Sequence, residues 1–321
     1  MKKMAKAIFM HAITSVHAGS GSSVSYVDLP FQREVNTQFP VIYASEVRGI
    51  FRANSFEEKF SNISDFEGLR KAVESFISIF GGGEDVKREI EKFRDEKGID
   101  EEDKLRALEN MTQPSQSPSR VSFTDARILF FPVRSLKGVI AWITCPYVLK
   151  RLKRDFEIFG KKLEFGVLNL NENEAMVPKE SELSFEHGSE GEGNEIVVFE
   201  DFRLEKKEGF NVDVFEELLP DSIDFELFRK HAALVSDDVF KDLTMLGAEI
   251  TPRIRINKET GTVAKGALWY EENVPAEAVF YSLMITEEGT EDFIKDEVIQ
   301  VGGNGSTGHG IFKIKLVKLG G

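Results

Sequence analysis

The chain has 321 residues, 41% hydrophobic and 30% charged, with a formal net charge of −14. That length predicts about two domains or one domain with large insertions, and no stretch approaches the ~18 apolar residues of a membrane helix. A single cysteine, Cys145, excludes an intramolecular disulfide and every cysteine-rich zinc pattern, and the five histidines at 11, 17, 187, 231 and 309 show no metal-ligand spacing. A cytoplasmic chain without structural zinc or membrane partner is therefore expected.

Lys2, Lys3 and Lys6 precede an apolar run, but His11, Thr14, Ser15 and His17 interrupt it. Its near-alternation predicts a half-buried strand over 7–16 rather than a secretory leader. A helix is expected over 45–53. Residues 55–80 are expected to be helical too, with Phe66, Leu69, Val73, Phe76 and Ile77 in one stripe. Gly81-Gly82-Gly83 reads as a flexible joint. The charge-dense stretch 84–111 spaces Ile90, Phe93, Leu105 and Leu108 for helices, and TQPSQSPS at 112–119 is a polar break. A helical insertion over 55–119 follows. Beyond it come a strand over 126–133, a helix over 135–152, a second polar break at 187–194 and an amphipathic segment over 225–243. A hairpin is expected over 250–269, turning at Glu259-Thr260-Gly261, and then strands over 278–285 and 311–317. The fold class is α+β. Most of the 27 phenylalanines fall on these apolar stripes and belong to the core.

The net charge conceals strong local differences. Residues 1–52 hold six basic and three acidic side chains and 120–162 hold ten and three, giving +3 and +7, while 311–321 adds +3. Residues 172–208 hold twelve acidic against four basic and 271–297 nine against one, or −8 each. Local field decides what a surface attracts, so a basic body with acidic insertions can bind a polyanion along one face. Ordinary solvated faces that average out in space are the competing explanation.

GGNGSTGHG at 302–310 satisfies G-x-G-x-x-G literally through Gly303, Gly305 and Gly308. No acidic residue can follow ~20 positions on, and the Walker Lys-Ser/Thr pair is replaced by His309-Gly310. It is either a plain loop or one whose exposed backbone N–H groups approach phosphate. HAGSGSSVSYVDLPFQRE at 17–34 surrounds a solitary acid, Asp28, with small residues. SEVRGIFR at 45–52 starts at an N-cap serine and sets Arg48 and Arg52 on one helical face, able to straddle successive phosphates or simply to be solvated.

Taken together, HAGSG at 17–21, VDLPFQRE at 27–34, SEVRG at 45–49, ARILFFPVRSLKGVIAWITCP at 126–146, ALWYEENVP at 267–275 and GGNGSTGHG at 302–310 resemble a known family. It is that of the backbone subunits of the type III-B CRISPR (Cmr) RNA-guided effector, within the RAMP superfamily. The resemblance covers most of the chain. It implies a ferredoxin-like, RRM-related palm over 1–54, 120–243 and 276–321, with an acidic insertion near 172–208, helical fingers over 55–119 and a thumb hairpin over 244–275. Copies would stack head to tail on the CRISPR guide RNA beside other Cmr subunits, each thumb displacing a base pair of the guide–target duplex.

The implied activity is endoribonucleolytic cleavage of complementary single-stranded target RNA, with attack by the RNA's own 2′-hydroxyl. Asp28 matches the family's catalytic aspartate and would act as base or hold a divalent ion, magnesium or manganese. His17 matches a family position near the site and would position the phosphate or protonate the leaving oxygen, and Glu271 at the base of the thumb would complete the metal environment. Guide contacts are expected from Arg48, Arg52, Arg134, Lys137, Gly303, Gly305 and Gly308. Three alternatives stay open: a structural RNA-binding subunit with an inert Asp28, a RAMP nuclease that processes precursor guide RNA, and a nucleotide-dependent metabolic enzyme.

Overall fold

The apolar run near the start, Lys3–Ala12, becomes a central strand, β1, flanked on both sides and buried from Ala7 onward. The computed structural model describes residues 3–21, 27–97, 102–113, 117–187, 194–290, 293–295 and 297–320. After β1 come β2 (Val41–Ile42) and four consecutive helices, α1 (Ala44–Phe60), α2 (Phe66–Phe80), α3 (Glu84–Lys97) and α4 (Glu102–Met111). Then follow β3 (Val121–Phe123), β4 (Ala126–Ser135), β5 (Val139–Thr144), α5 (Pro146–Ile158), β6 (Glu174–Val177), β7 (Phe185–His187), β8 (Asn194–Phe199) and β9 (Phe202–Glu208). The last part holds α6 (Phe225–His231), β10 (Ala232–Val235), α7 (Asp237–Leu246), β11 (Glu249–Ile256), β12 (Val263–Asn273), β13 (Val279–Glu287), β14 (Val298–Gln300) and β15 (Ile311–Gly320).

The α+β class is what the structure has. Among the described residues thirteen strands make one sheet in the order β14-β15-β1-β13-β4-β5-β10-β6-β9-β8-β7, with β2 on β4 and β3 on β13. A bridge between Ser135 and Phe199 returns β8 to β4, so that half of the sheet curls on itself. β11 and β12 form a separate antiparallel ribbon, joined to the 27–34 segment by a bridge between Leu29 and Glu271. The core is aromatic: Phe130 meets Phe215 and Phe228 edge-on, each 4.9 Å between centroids.

Helix α2 forms where the stripe predicts it. Leu69, Val73, Phe76 and Ile77 are buried, the Asp65 carboxylate accepts the Gly68 N–H at its start (2.8 Å), and Gly81 at φ 78° ends it.

Several expectations needed correction. A boundary after Asn54 falls inside α1, which continues to Phe60. The helix expected from 135 begins only at Pro146, because Val139, Ile140, Trp142, Ile143 and Thr144 suit a pleated strand and Pro146 sits naturally in a first helical turn. The segment 225–243 is broken by β10, whose Ala-Ala-Leu-Val lies buried between β5 and β6. The acidic stretch 172–208 supplies strands β6 to β9, so it extends the sheet rather than hanging from it. The triple glycine is a close contact rather than a joint: a Cβ on Gly82 would lie 2.0 Å from the Thr112 carbonyl oxygen. Of the two polar breaks, residues 114–116 and 188–193 lie outside the described residues.

Candidate functional site

Three consecutive residues at the end of β12 organise the site. The Tyr270 N–H donates to Asp28 Oδ2 (2.8 Å), and the Tyr270 carbonyl accepts the N–H groups of Asp28 (3.2 Å) and Leu29 (3.1 Å). Leu29 pairs with Glu271 as a parallel bridge. The Glu272 carbonyl accepts His17 Nδ1–H (2.9 Å), which in the neutral ring leaves Nε2 as the lone-pair nitrogen. Asp28, His17 and Glu271 are thus brought together on one strand end.

The segment 27–34 is tied down almost throughout. Val27 and Phe31 are buried. The Pro30 carbonyl accepts the Ser20 N–H (3.1 Å), Arg33 pairs with Glu272 (3.1 Å), and Glu34 takes Arg151 (2.7 Å). Asp28 is the one exposed residue of the eight.

Glu271 is its opposite. It is 5% exposed, and its carboxylate accepts Arg253 Nε (2.9 Å) and Asn304 Nδ2 (2.8 Å) on Oε2 and Trp269 Nε1 (3.0 Å) on Oε1. Burial alone would raise its pKa, but the three donors outweigh that and hold it below the usual glutamate value. The expected metal-binding role of Glu271 is therefore replaced by a tie between the ribbon and the Gly-rich loop. Arg253 Nη2 also donates to His309 Nε2 (3.2 Å), which turns His309 Nδ1–H toward Ser15 Oγ (3.2 Å).

The Gly-rich loop closes onto the same place. The Gly303 N–H donates to the His17 carbonyl (2.9 Å), and at Gly302 (φ 81°) a Cβ would stand 2.4 Å from that oxygen, so no other residue fits. Gly305 opens a short 3₁₀ turn and Gly308 closes it in the left-handed region.

The expected cations go elsewhere. Arg48 Nη2 donates to the Phe80 carbonyl (2.8 Å), and burial with the neighbouring Arg52 lowers its pKa. Arg52 makes a two-pronged pair with Asp85 and stacks over Phe76 (4.8 Å). Arg134 pairs with Glu200, and Lys137 donates to the Ser184 carbonyl (2.6 Å). Arg48 and Arg52 therefore bind α1 to α2 and α3 rather than standing ready for phosphate. In the +7 window, Arg120, Arg127, Arg134, Arg151, Lys153 and Arg154 all engage carboxylates within the chain.

A divalent ion does not fit these residues as a resident group. Among the described residues no three His, Cys, Asp or Glu side chains cluster, and Glu271 is filled by donors. Asp28 alone offers an accessible carboxylate.

Sequence reading missed Arg253, Asn304, His309 and Gln32. Arg253 had a signal: in the hairpin register Thr251 faces Glu271 and Arg253 faces Trp269, so Arg253 and Glu271 are diagonal cross-strand neighbours of opposite charge. Gln32 had none, since its partners are 11 to 14 residues away.

The RAMP superfamily profile matches residues 9–313. The CRISPR system Cmr endoribonuclease Cmr4 of Pyrococcus furiosus is 32% identical over 327 residues, covering 97% of this chain and 95% of that one. The crystal structure of oligomeric Cmr4 from Pyrococcus furiosus aligns over 99% of both chains at 25% identity with a TM-score of 0.62. A chain of the type III-B Cmr-beta complex bound to cognate target RNA, solved by cryo-EM, shares the fold at 21% identity, with a TM-score of 0.67 over 97% and 96% of the two chains. No helix among the described residues is long and apolar enough to cross a membrane. The expected resemblance therefore holds along almost the full length, and the chain belongs to the RAMP superfamily and, within it, to the Cmr4 family.

Proposed function

We propose that the chain is the repeating backbone subunit of a cytoplasmic type III-B RNA-guided effector. It binds CRISPR guide RNA, stacks with further copies of itself and with other Cmr subunits, and cleaves complementary single-stranded target RNA. The observation that carries this reading is Asp28, the only exposed member of 27–34, in a chain matched end to end by a Cmr endoribonuclease. Crystallisation of a 25% identical Cmr4 as an oligomer supports the stacking.

In this reading the sheet is a palm of ferredoxin-like topology, α1 to α4 are fingers and β11–β12 is the thumb. Ile250, Ile254, Ile256 and Leu268 are each about half exposed on that ribbon. Such an aliphatic surface on a projecting element suits insertion between stacked bases. Gly303, Gly305 and Gly308 offer backbone to the guide. Arg52 and Arg134 would have to give up carboxylate partners to do so, whereas Arg48 and Lys137 would each lose only a backbone carbonyl.

The chemistry needs little from the protein. The target's 2′-hydroxyl attacks the adjacent phosphorus, the O2′–P bond forms and the P–O5′ bond breaks. Asp28 takes the hydroxyl proton on the carboxylate oxygen not held by Tyr270, and His17, when protonated at Nε2, returns one to the leaving oxygen. Magnesium or manganese belongs to the proposal only as an ion arriving with the substrate phosphate, and chelation followed by add-back measures that dependence.

Asp28→Ala in the reconstituted complex is the test. Target cleavage should fall roughly 10²- to 10⁴-fold, with assembly and target binding unchanged. Undiminished cleavage overturns the assignment.

A further inference from the structure

A groove of about 530 Å³ runs between α1 and the Gly-rich loop, within the ~300–1,000 Å³ range of small-ligand sites. Gly19, Gly302 and Gly303 wall it on one side, and its polar side chains are Glu46, Asn54 and Gln300. Among the described residues no lysine or arginine lines it, although the chain carries 41 of them. That absence decides which part of a nucleic acid the groove can hold.

Glu46 is a built feature. The buried Gln32 donates through Nε2 to Glu46 Oε2 (2.9 Å) and to the Gly19 carbonyl (3.1 Å), and its Oε1 accepts the Tyr43 N–H (2.7 Å). Two backbone partners, the Gly19 carbonyl and the Tyr43 N–H, thus fix the amide that fixes the carboxylate. Glu46 Oε1 takes no donor among the described residues. Burial raises the Glu46 pKa, against the lowering by Gln32 and His17.

A phosphodiester beside this carboxylate would set two anions together in a half-buried groove, with no lysine or arginine among the described lining residues to offset them and the His17 ring as the nearby basic group. A sugar hydroxyl meets no such opposition. It donates to a carboxylate and accepts from a carboxylic acid or an amide, so it is matched by Glu46 in either protonation state. The glycine walls remove the side chains that would keep a furanose ring out. We infer that this groove seats a ribose of the bound RNA and that Glu46 receives its 2′-hydroxyl, making Glu46 the residue that selects ribose over deoxyribose. The inference rests on the RNA-binding reading above and adds the group recognised.

The experiment measures fluorescence anisotropy of the full chain with a single-stranded RNA, the DNA of the same sequence, and the RNA bearing 2′-O-methyl groups. Wild type should bind RNA at least about tenfold more tightly than DNA or the methylated strand, the worth of one hydrogen bond to a charged group. Glu46→Ala should bring RNA down to the DNA level without changing DNA affinity, and Glu46→Gln should retain part of the preference, since its amide still meets both Gln32 and a hydroxyl. Equal binding of all three strands by wild type sinks the inference and leaves the RNA-binding reading intact, and Glu46→Ala losing RNA and DNA alike sinks it too. Binding of none by wild type removes the functional reading and the inference together.

Discussion

Asp28 and Glu271 sit on neighbouring backbone positions, joined through the Leu29–Glu271 bridge, yet their carboxylates live in opposite circumstances. Glu271 is buried and holds three side-chain donors from the ribbon and the Gly-rich loop. Asp28 is exposed and, among the described residues, accepts a single backbone N–H that sets its direction. A buried carboxylate that already takes three side-chain donors holds elements together and has little left for a substrate. One that is oriented yet unfilled can take a proton. The difference lies in the partners, and residue type alone does not reveal it.

The largest effect should come from the substrate side of this contrast. A single deoxyribose at the scissile position should block cleavage there completely while neighbouring sites are still cut, with 5′-hydroxyl and 2′,3′-cyclic phosphate ends at those sites. Mass spectrometry of the fragments reads the outcome, and a 5′-phosphate would mean that water had attacked instead.

The next effect belongs to the filled carboxylate. Glu271→Gln should cost about 2–4 kcal/mol of stability at neutral pH, because it strips the charge from a buried pair with Arg253. The folded-state pKa of Glu271 is depressed, so the wild-type contribution is full above the ordinary value of 4.5 and is lost as pH falls through the folded value. Thermal melts of the two proteins should therefore converge below pH 4.5. A gap that persists in acid would show that packing, not charge, holds the junction.

Arg52→Ala should have the smallest effect, about 1 kcal/mol, since Asp85 is 42% exposed. The slope of RNA affinity against salt should not change, because this guanidinium is already paired. A shallower slope would return Arg52 to the phosphate-binding set.

Short-range features were legible in the sequence. The stripe of α2, the turn of the β11–β12 ribbon, the first strand and the solitary acid Asp28 all depend on residues close together in the chain. What escaped depends on distant partners. Nothing near Arg52 announces Asp85, so helical-face reasoning left that arginine free, and nothing near Arg134 announces Glu200, so the resemblance left that one free, when the fold had paired both. The 139–144 strand escaped for a related reason: on a strand covered on both faces the period-two signal disappears, and an apolar run reads equally well as a helix.

The pairing of β1 with β15 gives assembly of the site an order in time. Ala5 lies opposite Gly320 and Ala12 opposite Phe312, so β1 waits on the ribosome for the much later β15 before that edge is covered. Contacts so distant along the chain are slow to form. The loop that docks on His17 immediately precedes β15 and emerges late as well. Until then β1 has an open edge, a template for unwanted pairing with another chain. A nascent chain stalled before residue 302 would carry Asp28 but lack the Gly303 and Asn304 contacts that complete its surroundings, so the candidate site is fully assembled only after the Gly-rich loop has emerged.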